Sequence, residues 1–94
     1  MRERDIESYL VKRVKAMGGE VRKVKWIGRR AAPDRLVMLP HIPNQRGAWF
    51  FYAELKTPGE KPTAAQLREH QRMQSFGMVV FVIDSLELVD AVLA

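Results

Sequence analysis

The sequence predicts an α/β domain with helices packed on a mixed β-sheet, in the element order α-β-β-β-α-β-α. Three observations lead there. The first segment repeats apolar residues at helical spacing. Three short stretches rich in β-branched and aromatic residues follow, with turn-forming residues between them. A second helical stretch then runs into the apolar string Met78-Val79-Val80-Phe81-Val82-Ile83. With 94 residues the chain forms one domain, 1–94, and a core that small gains from a partner subunit.

The first helix spans Glu3 to Met17, where Ile6, Leu10, Val14 and Met17 make one stripe and Gly18-Gly19 end it. Glu20 to Ile27 reads as a strand carrying Val21, Val24, Trp26 and Ile27. A basic loop, Gly28-Arg29-Arg30-Ala31-Ala32-Pro33, leads to a second strand, Asp34 to Leu39. Pro40 to Gly47 is a turn that joins it to a third strand, Ala48 to Lys56, as a hairpin. Thr57 to Lys61 is a Pro/Gly loop, and Thr63 to Phe76 a second helix closed by Gly77. Met78 to Ile83 has the unbroken apolar character of a strand buried on both faces. A short helix, Ser85 to Leu93, places Leu86, Val89 and Leu93 on one side.

Composition narrows the function. Sixteen Lys+Arg against eleven Asp+Glu give a formal charge of +5, a balance that attracts polyanions such as nucleic acid. The absence of cysteine excludes disulfides, zinc-thiolate sites and thiol nucleophiles. No apolar run reaches the ~20 residues of a membrane span, and Met1-Arg2-Glu3-Arg4-Asp5 is too charged for a signal peptide. The expectation is a cytoplasmic protein with no membrane association.

The third strand carries the chemistry. Side chains alternate, so Phe50, Tyr52, Glu54 and Lys56 share one face, and Trp49, Phe51, Ala53 and Leu55 the other. Glu54 and Lys56 emerge together at the end of a largely apolar strand, where an edge ion pair is one reading. Asp34 opens the neighbouring strand just after Pro33, and a hairpin can bring it near Glu54. Two converging carboxylates repel unless a hard cation lies between them, and magnesium accepts such oxygen ligands. Lys56 beside them could orient or help deprotonate water, which completes the parts needed for phosphodiester hydrolysis. On the first helix Glu3 falls in the middle of the apolar stripe and Glu7 nearer its edge. Glu3 could equally complement the helix dipole. Thr63-x-x-Gln66 matches a capping box, and Gln71 and Gln74 could border a polar pocket. His70 has no second ligand at metal spacing, and His41 reads as a loop residue.

Pro33-Asp34, nineteen residues, then Glu54-Leu55-Lys56 resembles the PD-(D/E)XK signature. The whole chain is similar to the virus-type replication-repair nuclease family. The likeness lies in a Glu-bearing first helix ending in Gly-Gly, a basic loop, Pro-Asp, Glu-x-Lys, Lys61-x-x-x-x-Gln66 and a final hydrophobic strand. The resemblance implies a restriction-endonuclease-like core and a Mg2+- or Mn2+-dependent endonuclease of DNA repair and recombination. It further implies a homodimer acting on branched DNA such as four-way junctions, in a bacterial or phage-infected cell. Asp34, Glu54, Lys56 and Gln66 would match its catalytic residues. Asp34, Glu54, Leu55 and either Glu3 or Glu7 would match its metal ligands. Ala31-Ala32 stands where many members have glycine. Lys23, Lys25, Arg29, Arg30, Lys61, Arg68 and Arg72 flank the site and could neutralise phosphates. Other readings are a non-catalytic nucleic-acid-binding module and a sequence-specific restriction-type nuclease.

Overall fold

A computed structural model describes residues 1–40 and 49–94. Its elements are α1 (Glu3–Ala16), β1 (Glu20–Lys23), β2 (Arg35–Leu39), β3 (Trp49–Leu55), α2 (Ala64–Ser75), β4 (Val80–Ile83) and α3 (Leu86–Leu93). The order is the expected one. The turn assigned to 40–47, with His41 in it, and the start of the third strand at Ala48 lie outside the described residues, except Pro40.

α1 buries Ile6, Leu10 and Val14, three positions of its stripe. Gly18 ends it with φ +83°, and Gly19 permits the tight entry into β1: a Cβ there would lie 2.3 Å from the Met38 carbonyl oxygen. α2 starts on a capping box. The Thr63 hydroxyl accepts from the Gln66 N–H at 3.1 Å, and the Gln66 side-chain oxygen accepts from the Thr63 N–H at 2.9 Å. Ser85 caps α3 by accepting from the Leu88 N–H at 3.0 Å.

The strands lie in the order β1-β2-β3-β4, with β3–β4 the parallel pair and the others antiparallel. The sheet is therefore mixed, and β2–β3 is the expected hairpin, with Leu36 opposite Tyr52 and Met38 opposite Phe50. α1 and α3 cover one face, burying Val37, Leu39, Phe51, Ala53, Leu55 and Ile83. Tyr9 of α1 donates to Asp90 of α3 at 2.8 Å, and Arg13 pairs with the same carboxylate. α2 packs near β4, on the opposite face, through His70 and Met73.

Four expectations need correction. β1 stops at Lys23 instead of Ile27, because the chain leading into β2 turns away through Ala31 (φ +65°). The last main-chain bond between the two segments joins the Val24 N–H to the Asp34 carbonyl at 2.9 Å. β4 is an edge strand that buries one residue on each face, Val80 and Ile83, and leaves Phe81 and Val82 half-buried, so its enclosure is partial. The sequence offers few helices to cover the face of Trp49 and Phe51, yet α1 and α3 cover both; the apolar surface left open lies on the other face, at Leu36, Met38 and Phe50. On α2 the inward residue is His70, while Gln71 and Gln74 are exposed. No helix among the described residues is long and apolar enough to cross a membrane.

Candidate active site

β3 carries Glu54 and Lys56 to the end of the sheet on the face that α2 covers. The Lys56 N–H donates to the Ile83 carbonyl at 3.0 Å, so β4 holds this end of the strand straight. Both side chains are buried, Glu54 at 9% exposure and Lys56 at 8%. Register brings Asp34 to the same place. Arg35 pairs with Ala53, so one step further Asp34 faces Glu54. The Tyr52 N–H is directed at β4, so Glu54, two residues on, also turns its main-chain groups away from Asp34.

The ladder ends at Arg35–Ala53, and continuing its alternation by two steps would set Leu55 toward Pro33. Leu55 directs its main-chain groups toward β2, and proline has no N–H with which to meet its carbonyl. The only ligand Leu55 can offer a cation is that carbonyl oxygen. The Pro33 carbonyl accepts from the Trp26 indole N–H at 2.8 Å, which fixes the loop ahead of Asp34.

Electrostatics at Glu54 are set first by burial, which pushes its carboxyl up to about 7. Lys56 and Arg35 pull it down, and Asp34 and Glu3 push it further up. Among the described residues its one cationic-capable contact within ion-pair range is His70 Nε2, at 3.4 Å from Oε1, a weak contact by length. Burial holds the His70 imidazole below its ordinary value, with Glu69 raising it and Lys56 lowering it. Lys56 forms no ion pair among the described residues, so the edge pair with Glu54 is absent.

The two helix-1 glutamates separate. Glu7 pairs with Arg35, which is buried, and Arg35 also holds Asp34 Oδ1 at 2.7 Å. Glu3, the first residue of α1, is exposed, yet its charge reaches Glu54. Gln66 is half-buried with its side-chain oxygen spent on the cap. Lys23, Lys25, Arg29, Arg30, Lys61, Arg68 and Arg72 are all exposed; Arg29 reaches Glu69 at 3.5 Å.

Two residues escaped the sequence reading. His70 lacked any spacing partner and is read as a site residue only once α2 is laid against β3. Arg35 looked like a strand residue and becomes the link between Asp34 and Glu7.

The donor set is oxygen only and fits a hard divalent ion. Among the described residues the buried Glu54 carboxylate lacks a strong cationic partner, and a second carboxylate, Asp34, lies near enough to act on it. Among the described residues no three His, Cys, Asp or Glu side chains converge as a cage. Magnesium commonly takes one or two carboxylates and completes its shell with water and phosphate.

A mixed sheet with Pro-Asp entering one strand and Glu-x-Lys leaving its neighbour is the nuclease core of the PD-(D/E)XK class. A solved structure described as a VRR_NUC domain superposes with a TM-score of 0.81 and 41% identity, covering 96% of this chain and 91% of that one. "Putative nuclease p44" of Acyrthosiphon pisum secondary endosymbiont phage 1 is 46% identical over 88 residues, 94% of this chain and 88% of that protein. No family model matches the chain. At that identity and coverage the chain belongs to the virus-type replication-repair nuclease family, VRR-NUC.

Proposed function

We propose that the chain is a Mg2+- or Mn2+-dependent endonuclease that hydrolyses phosphodiester bonds in DNA. We further infer that it selects branched substrates such as four-way junctions and works as a homodimer in the cytoplasm of a bacterial or phage-infected cell. The observation that carries the reading is the facing pair Asp34 and Glu54 at the end of the sheet, with Lys56 on the same face. Asp34, Glu54 and the Leu55 carbonyl would hold the ion, with Glu3 within electrostatic reach.

A bound divalent ion supplies Lewis-acid stabilisation of the charge that builds on the phosphate and lowers the pKa of the attacking water. The residues supply position. Arg35 restrains Asp34, β4 fixes the strand end that carries Lys56, and the Lys56 ammonium orients water and phosphate oxygens. Water gives up a proton as it forms the new P–O bond, the bond to the leaving oxygen breaks, and that oxygen takes up a proton. The exposed basic side chains neutralise flanking phosphates without reading sequence.

The dimer is supported by the apolar surface of Leu36, Met38 and Phe50, which lines an open cavity apart from the one Tyr52 shares with α2. A C2 pair would place two sites against two symmetry-related phosphates of a junction.

Cleavage of four-way, flap and linear duplex DNA in magnesium tests the reading. Asp34→Asn keeps shape and removes a charge, and is expected to lower the rate at least a hundredfold or so, since even outer-sphere changes at metal sites cost about 10–100-fold. Full activity of that variant would falsify the site. A protein that binds DNA but takes up no magnesium in calorimetry would be a non-catalytic binding module instead.

A further inference from the structure

Beside the catalytic residues lies a cavity of about 380 Å³ that the proposed chemistry does not use. It opens between the loop after β1 and helix α2, and its lining includes Trp26, Arg29, Tyr52, Glu69, Arg72 and Phe76. Its size falls within the roughly 300–1,000 Å³ of small-ligand sites. We propose that this cavity receives one unpaired nucleotide of the DNA substrate. The inference rests on the nuclease reading above and deepens it, because it states which feature of a branched DNA the protein would grip.

Four observations support the ligand class. First, the walls are aromatic. The Trp26 and Tyr52 rings lie 5.4 Å apart at 53°, and the bond to the Pro33 carbonyl keeps the Trp26 indole in place. Phe76, at the end of α2, is a large apolar side chain left 70% exposed at the cavity. Bases stack on such faces irrespective of sequence.

Second, the rim carries cations. Arg72 sits over the Phe76 ring at 5.7 Å, and Arg29 stands across from it on the loop. Both are exposed, and a guanidinium suits phosphate recognition. The +5 chain has ample positive charge elsewhere; what distinguishes these two is that they border an aromatic cavity.

Third, Glu69 offers a carboxylate on the wall, 3.5 Å from Arg29. It is a poor neighbour for a phosphate but a good acceptor for an exocyclic base amino group. The cavity therefore takes the base inward and leaves the phosphate at the rim.

Fourth, the position suits the chemistry. Tyr52 precedes Glu54 by two residues on one strand face, about 7 Å along the strand. Glu69 adjoins His70, which touches Glu54. The neighbouring Ile27 is 96% exposed on the same loop, an apolar side chain with no packing role in the fold. Apolar side chains of this kind wedge between bases in DNA-bending proteins.

The test uses the full chain in EDTA, so that binding is read without cleavage. Three labelled duplexes are compared by fluorescence anisotropy: one with a single unpaired nucleotide, one fully paired, and one with an abasic site at the unpaired position. The first is expected to bind about tenfold tighter than either of the others, the worth of one stacked base. An adenine-like fluorescent base at the unpaired position is expected to be quenched on binding. Phe76→Ala with Arg72→Ala should bring the bulged duplex close to the paired one while the far-ultraviolet circular dichroism stays unchanged. Should that variant fold poorly, Arg29→Ala alone is expected to lose part of the preference. Equal binding of bulged and abasic duplexes overturns the proposal, as does a preference that survives the substitutions. Cleavage in magnesium without any dependence on the unpaired base would sink the cavity and leave the nuclease reading. Bulge-specific binding without cleavage in magnesium would do the reverse.

Discussion

Glu54→Gln is expected to stabilise the metal-free protein at alkaline pH while removing its activity. The carboxyl of Glu54 moves from an ordinary 4.5 to about 7, chiefly because it is buried. Below about pH 4.5 the folded and unfolded states both hold the proton. Above it the unfolded chain ionises first, so the folded state binds more protons and stability falls as pH rises, levelling off above about 7. At about 1.4 kcal/mol per pH unit the full loss is roughly 3 kcal/mol, a large part of a small domain's stability. Glutamine keeps the shape and the contact with His70 and has no proton to lose. His70 works in the opposite direction: its burial-lowered imidazole makes the protein less stable as pH falls through the ordinary histidine range, in wild type and variant alike. The comparison of wild type with variant therefore isolates Glu54. Urea unfolding in EDTA at about pH 5.5 and about pH 8.5 should show the variant gaining on wild type by about 2 kcal/mol between the two. Added magnesium should stabilise wild type at the higher pH and leave the variant unchanged, because only a native-state ligand shifts the midpoint. A variant less stable than wild type at pH 8.5, or a gap that does not change with pH, would refute the reasoning that burial without a strong partner is what Glu54 endures.

Three further outcomes follow from other parts of the fold. Arg29→Ala with Arg30→Ala should reduce the salt dependence of DNA binding by at most about two units of slope, and an unchanged slope would take the loop out of the contact surface. Ala31→Gly should raise stability by about 0.5–1 kcal/mol, because alanine at φ +65° bears a left-handed strain that glycine lacks, partly offset by glycine's entropy; a loss in thermal midpoint would show the strain to be absent. Sedimentation equilibrium at micromolar concentration should give about twice the 10.8 kDa chain mass for wild type and the chain mass for Phe50→Glu, whereas a wild-type monomer would count against the dimer.

What the sequence made legible was local. The Ile6-Leu10-Val14 stripe, the Thr63–Gln66 cap and the apolar run of β3 each state their element within a few residues, since periodicity and capping are short-range physics. The Pro33-Asp34 and Glu54-x-Lys56 motifs were visible because a hairpin makes them neighbours. Tertiary relations were not legible. Alternation assigns Trp49 and Phe50 to opposite faces, but nothing local says that α1 and α3 cover the first while the second is left open. Helical angle put Glu3 on the buried stripe, yet burial along that stripe begins only at Ile6. His70 and Arg35 are ordinary residues in sequence and acquire meaning only from what α2 and α1 lay beside them.

Pro33 joins these levels in one residue. Its ring fixes its own φ near −65° and biases the residue before it away from helix. That residue, Ala32, follows the strained Ala31, so the loop reaches β2 along one path even without a glycine in it. The missing N–H has a second effect across the sheet. Continued past Arg35–Ala53, the register would set Leu55 toward Pro33, which has no N–H to offer its carbonyl. A proline at this point sets the entry of Asp34 and, in that continued register, would leave the Leu55 carbonyl without a partner from position 33. A residue with an N–H at position 33 could close the ladder onto Leu55 and withdraw that oxygen. The separation of Pro-Asp from Glu-x-Lys along the chain hides this link, while the antiparallel register makes it a matter of one opposed pair.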